Sequence, residues 1–199
     1  MIRLAHLMQF IENKYMELYQ IDNYLNPQIC DQIIKYSNNA TNNFCTPVRY
    51  YDNGVKVTSF DSPPDYIDNI NIKLHQLLNI PVIYGQSLQV LKYKTNMVSD
   101  FHHDLLDPFN PNDNSAYQVS GQITWTIVIY LNDVEFGGET YFRIPNIKIK
   151  PKKGKALIWN NLYRNGQPNY NTEHAGLPVN QGYKYVMTKM FKERPHILN

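Results

Sequence analysis

The sequence predicts a mainly β protein with flanking helices, folded as a sandwich or barrel. Three observations carry this reading. From Ser87 onward the chain is a succession of short runs rich in β-branched and aromatic residues, separated by turn residues. Ahead of them stand two stretches whose apolar residues recur at three- and four-residue steps, the spacing of one helical face. No segment repeats at a fixed period, which excludes a propeller or a solenoid.

The elements follow in order. In LNPQICDQIIKYSNN, Asn26 can cap, Pro27 suits the first helical position, and Ile29, Cys30, Ile33 and Ile34 form one stripe. After the stop signal Pro63 and Pro64, DYIDNINIKLHQLLN sets Ile67, Ile70, Leu74, Leu77 and Leu78 on one face. Both read as helices packed on a sheet. The β runs are SLQVLKY, QITWTIVIYLN, ETYFRI, IKIK, KALIW and KYVMTKMF. Between the first two lies LLDPFNPNDNSAYQVSG, residues 105–121, which reads as a long structureless loop of the kind that forms lids and binding loops. Gly137, Gly138 and Glu139 read as a tight turn between strands, since glycine supplies the positive φ such turns require.

At 199 residues the chain is expected to form one domain, residues 1–20 being an N-terminal extension to a core of about 21–193. Its 43% apolar content and 16 tyrosines exclude a disordered chain. A formal charge of +2 gives no field for capturing nucleic acid or anionic lipid, so neither is expected as a partner. The one basic cluster, Lys148, Lys150, Lys152, Lys153 and Lys155, alternates with Ile147 and Ile149 and reads as the wet face of a strand entering a turn. Cys30 and Cys45 lie in no metal-binding or redox spacing; Cys30 reads as a small packed residue, and whether the two pair is left open. The first 19 residues make a poor signal peptide and no run has membrane-spanning length, so the expected compartment is the cytoplasm. Heavy use of Asn, Ile, Lys and Tyr points to an AT-rich genome, viral or bacterial.

The chemistry centres on SDFHHDLLD. In an extended chain His102 and Asp104 share a face while His103 points to the other, so the ligand pair is H-x-D. His174, in NTEHAGLPV, offers a third ligand. Two imidazoles and one carboxylate are the facial triad of non-haem Fe(II) oxygenases, which leaves three adjacent positions open. His6, His75 and His196 have no carboxylate partner at useful spacing and are expected at the surface.

Over about residues 22–193 the chain resembles the catalytic domain of prolyl 4-hydroxylases, through IDNYLNPQICDQII, SLQVLKY, FHHD, IYLNDVEFGGETYF, IKPKKGKALIW, HAGLPV and GYKYVMTKMF. The resemblance implies a double-stranded β-helix, a cupin-like jelly roll with the metal inside its open end. It implies Fe(II), 2-oxoglutarate and O₂, with ascorbate as an auxiliary reductant, and hydroxylation of a C–H bond with release of succinate and CO₂. Lys184, ten positions after His174, matches the lysine that receives the far carboxylate of 2-oxoglutarate. Thr126, Val128 and Tyr130 share the face of their strand that the resemblance sets against the co-substrate, and Tyr93 matches another tyrosine near it. The implied partner is a proline-containing peptide or protein. Ser99, Ile123 and Met190 depart from the tyrosine, arginine and tryptophan usual in the family, at positions the resemblance places toward the substrate. Another acceptor residue or a small molecule therefore stands as the alternative, and a silent β-sandwich binding module as a third reading.

Overall fold

The structure is a computed structural model, which describes residues 7–41, 46–51 and 53–195. Among the described residues twelve strands form two sheets, and every strand pairing is antiparallel. The large sheet runs β1 (Gln9–Phe10), β2 (Leu18–Ile21), β10 (Ala156–Asn160), β7 (Ile123–Tyr130), β12 (Tyr183–Lys192), β5 (Leu88–Lys94), β4 (Lys56–Phe60), β3 (Val48–Tyr50). The small one runs β6 (Ser99–His102), β11 (His174–Gly176), β8 (Thr140–Phe142), β9 (Ile147–Ile149). This is the jelly-roll sandwich with flanking helices that the sequence predicts. Strands β1 to β4 precede Ser87, in a region whose pattern does not announce them. The four residues of β2 pair directly with β10, beside the centre of the large sheet.

Period-two alternation divides the core into two layers. Ile127 and Ile129 of β7, Ile158 of β10 and Met187 of β12 face α1 (Pro27–Asn39) and α2 (Asp65–Leu78), in a cluster with Cys30, Ile33, Ile67, Ile70 and Leu74. The residues of opposite parity, Tyr130, Leu157, Trp159 and Val186, meet Phe142 of β8 and Ile149 of β9 between the sheets. Both expected helices form. The Asn26 side chain accepts from the Gln28 amide at 2.8 Å with Pro27 at the first position, and α2 ends at Asn79 in the left-handed conformation.

Two expectations are corrected. The 105–121 segment is not structureless, for it carries α3 (Pro111–Ser120), capped by Asn110 on the Asn112 amide as a second Asn-Pro pair allows. Only Ser120 of this helix is buried, so it has no apolar stripe to read. His75 is not at the surface but 3% exposed on the inner side of α2, its ring edge-on to Phe191 and Nδ1 3.2 Å from the Ile80 carbonyl. A histidine beside Leu74 and Leu77 is drawn in by the burial of its neighbours. His6, Cys45 and His196 lie outside the described residues.

The basic turn behaves as a solvated face tied back to the body: Lys153 pairs with Asp31 of α1 at 2.7 Å, and Lys155 with Asp22 at 3.3 Å. Cys30 is buried within α1 as a small apolar residue. Among the described residues no helix is long and apolar enough to cross a membrane.

Candidate metal centre

Between the sheets lies a cavity of about 300 Å³. Its floor is the inner face of the large sheet, where alternate residues of β5 (Gln89, Leu91, Tyr93), β12 (Lys184, Val186, Thr188, Met190) and β7 (Thr126, Val128) point inward. The small sheet closes it from above with Ser99, His102, Thr140, His174 and Gly176. The register lays the floor out in rungs: Lys184 lies opposite Tyr93, Val186 opposite Leu91, Thr188 opposite Gln89, and Met190 opposite Thr126.

His102, Asp104 and His174 come together here, their ligand atoms all within 4.8 Å of one another. Pairing of β6 with β11 sets the two histidines directly opposite, with ring centroids 4.3 Å apart. Asp104 Oδ1 lies 3.7 Å from His102 Nε2 and 4.0 Å from His174 Nε2. His102 Nδ1 stands 2.7 Å from the Asp100 carbonyl and His174 Nδ1 2.9 Å from that of Thr172. A carbonyl only accepts, so both protons sit on Nδ1 and both Nε2 lone pairs face the shared centre. Burial holds the His174 pKa down at about 4 against the pull of Asp104, so its imidazole is neutral at pH 7. His103 instead sets Nε2 2.9 Å from the Tyr170 carbonyl, as strand parity predicts.

His174 and Asp104 are buried while the His102 side chain is 42% accessible, so the cluster opens to solvent on the His102 side. The donor set suits a borderline divalent ion such as Fe(II).

Lys184 is 4% exposed, and its ammonium lies 5.2 Å from the Tyr93 ring centroid and 6.0 Å from that of Tyr130. Desolvation lowers its pKa to about 8, with Glu139 acting in the opposite sense. No ion pair among the described residues reaches it. A Cβ on Gly176 would stand 3.5 Å from Nζ, and Gly176 is two residues along β11 from His174, roughly 7 Å of strand. An unpaired buried cation at that distance fits the far carboxylate of a five-carbon dicarboxylate chelated at the metal.

The other predicted residues divide. Tyr93 lines the cavity with Ser99; Tyr130 is fully buried and donates to Thr140 Oγ1 at 2.7 Å. Thr126 lines the cavity, but its hydroxyl donates to Asp104 Oδ2 at 2.6 Å. Ser99 and Met190 line the cavity, Ser99 at the Lys184 end. Ile123 is not among the lining residues, so the altered set at the cavity is Ser99 and Met190. Sequence reasoning missed Trp159, whose ring packs edge-on to His174 at 4.9 Å, and Asn161 two residues on; only the pairing of β10 with β7 brings them to the site. The glycine turn is structural as expected: at Gly137, with φ of 77°, a Cβ would collide with the Pro178 carbonyl oxygen.

Comparison with known proteins agrees with this geometry. The sequence profile of the 2OG-Fe(II) oxygenase superfamily matches residues 88–192. A protein of Acanthamoeba polyphaga mimivirus, provisionally designated a prolyl 4-hydroxylase, is 29% identical over 92% of this chain and 77% of its own length. An Arabidopsis thaliana protein, provisionally designated prolyl 4-hydroxylase 9, is 26% identical over 71% of this chain; the match spans about half, 52%, of that plant protein. Among solved structures, the viral collagen prolyl hydroxylase of Paramecium bursaria Chlorella virus-1, in its 2OG complex, superposes with a TM-score of 0.67 at 26% identity, over 90% of this chain and 96% of that one. The profile covers more than half of the sequence and includes all the strands that carry the cluster, and the chain belongs to the 2OG-Fe(II) oxygenase superfamily.

Proposed function

We propose that the protein is a dioxygenase that couples oxidative decarboxylation of 2-oxoglutarate to hydroxylation of a C–H bond, with a prolyl residue of a peptide or protein as the acceptor. The observation that carries this reading is the convergence of three free lone pairs, two Nε2 and one Oδ1, on one point of a cavity whose far end holds an unpaired buried lysine. Bound together, Fe(II), 2-oxoglutarate and O₂ supply the oxidising chemistry: one oxygen atom goes to succinate as CO₂ leaves, and the other to the substrate carbon.

His102, Asp104 and His174 hold the metal on one face, Lys184 receives the far carboxylate, and Tyr93 with Tyr130 walls that end against water. Val186, Leu91 and Val128 supply the apolar passage between. The substrate enters on the accessible His102 side. The names of the relatives support proline as acceptor. Met190, opposite Thr126 on the cavity floor, favours the second reading, a different residue or a small molecule in the same cavity; Ser99, at the Lys184 end, lies away from the substrate side where the resemblance places it.

The test is succinate release with Fe(II), ascorbate and 2-oxoglutarate against proline-rich and proline-free peptides, with mass analysis of the products. The reading expects a gain of about 16 Da, one oxygen atom, on proline. Turnover only with proline-free acceptors would move the assignment to the second reading.

A further inference from the structure

We propose that Asn161 is a positioning residue, the middle of a one-way hydrogen-bond relay from Trp159 through Thr126 that makes Asp104 bind metal through Oδ1 alone. The inference rests on the reading of the cluster as a metal site and adds to it how one ligand is oriented. Three bonds compose the relay. Trp159 Nε1 donates to Asn161 Oδ1 at 2.9 Å, Asn161 Nδ2 donates to Thr126 Oγ1 at 3.0 Å, and Thr126 Oγ1 donates to Asp104 Oδ2 at 2.6 Å. Trp159 and Asn161 are 0% exposed, Thr126 1% and Asp104 8%, so the relay runs through groups with little access to solvent.

The direction of the relay is chemically fixed. An indole nitrogen can only donate, so the amide oxygen of Asn161 must face it and the amide NH₂ must face Thr126. A hydroxyl that accepts from Asn161 turns its own proton elsewhere, and the acceptor in reach is Asp104 Oδ2. That oxygen is thereby engaged at 2.6 Å, and Oδ1 is the one left facing the two imidazoles. A carboxylate held this way occupies one coordination position; rotated to chelate, it would occupy two and close a position that co-substrate or O₂ needs. Trp159 also packs against the His174 ring, so one indole steadies two of the three ligands.

The test is titration of the metal-free protein with Co(II), read by the visible absorption of the bound ion and by calorimetry. Thr126→Val and Asn161→Leu are expected to weaken Co(II) binding roughly 10- to 100-fold and to change the absorption bands, as loss of an outer partner does at other metal sites. Thr126→Ser, which keeps the hydroxyl, should restore affinity and spectrum. If Asn161 acts through Thr126, the double variant binds no more weakly than Thr126→Val alone, within about twofold. Asn161→Ser, too short to span from Trp159 to Thr126, gives the same reading if Asn161→Leu does not fold. A purely structural role would lower the melting temperature of the metal-free variants and leave affinity and spectrum unchanged, which would overturn the relay; so would losses that add in the double variant. Failure of the wild-type protein to bind Co(II) would instead overturn the metal reading, and the relay with it.

Discussion

Lys184 carries a positive charge into a cavity where no carboxylate of the described residues forms an ion pair with it, and its free energy runs in opposite directions for folding and for binding. Its ordinary pKa of 10.5 falls to about 8 in the folded chain through burial, with Glu139 offsetting part of the fall. Between those values the unfolded chain binds a proton that the folded chain has lost, so stability rises with pH through that window, and below about pH 8 the folded protein bears the cost of a desolvated ammonium. Lys184→Met should therefore raise the stability of the ligand-free protein at pH 7 by ~1–3 kcal/mol, measured by denaturant unfolding, and abolish 2-oxoglutarate binding. In the wild-type protein, affinity for 2-oxoglutarate should fall by about tenfold per pH unit above pH 8, as the ammonium that receives the carboxylate is lost. A flat calorimetric profile from about pH 7 to 9.5 would contradict this role. At this scale the sequence was readable where chemistry and parity coincide: H-x-D names His102 over His103, and the histidines do face one another across two strands. Asn161 was not readable, because its role depends on a strand pairing that brings it to Thr126 from 35 positions away.

Among the elements, α2 shows how a stripe that was read correctly can still conceal a polar residue. Ile67, Ile70, Leu74 and Leu77 are buried as their spacing requires, and His75 goes in with them. Burial, aided by the nearby Lys189, lowers its pKa from 6.5 to about 4, against the pull of the Ile80 carbonyl. For a histidine depressed in this way the folded state binds fewer protons, so its contribution to stability is present above about pH 6.5 and is lost as the pH falls toward 4. The melting temperature should drop across that interval, and His75→Phe, which keeps an aromatic ring against Phe191, should flatten the drop; an unchanged acid limb in the variant would refute the attribution. Helix α1 was legible because cap, proline and apolar stripe agree, and α2 because a proline stop precedes its stripe, whereas α3 has the cap and the proline without the stripe. The three residues of β3 and of β11 are too short for any alternation to register, and their pairing partners define them.

Across the whole molecule, the sandwich brings distant stretches of chain to one cavity and divides it by rung. Lys184 and Tyr93 form the inner end, the aliphatic rung of Val186 and Leu91 the passage, and the accessible His102 marks the open side. The crossing of Gly137 and Gly138 with Pro178 and Val179 ties the loops beside Lys184 together, with Gly138 donating to the Pro178 carbonyl at 2.8 Å. The β-rich class was legible from alternation, and the double-stranded β-helix through the resemblance. The division into a large and a small sheet was not, because antiparallel strands of either sheet carry the same period-two pattern. The proposed function is that one cavity holds Fe(II) at His102, Asp104 and His174 and 2-oxoglutarate between that metal and Lys184. Its most direct test is an anaerobic titration of the metal-free protein with Fe(II) and then 2-oxoglutarate, followed by visible absorption. A charge-transfer band that appears only when both are present, and is absent in Asp104→Ala and Lys184→Met, is the predicted result; no band in the wild-type protein, or an undiminished band in either variant, would contradict the account.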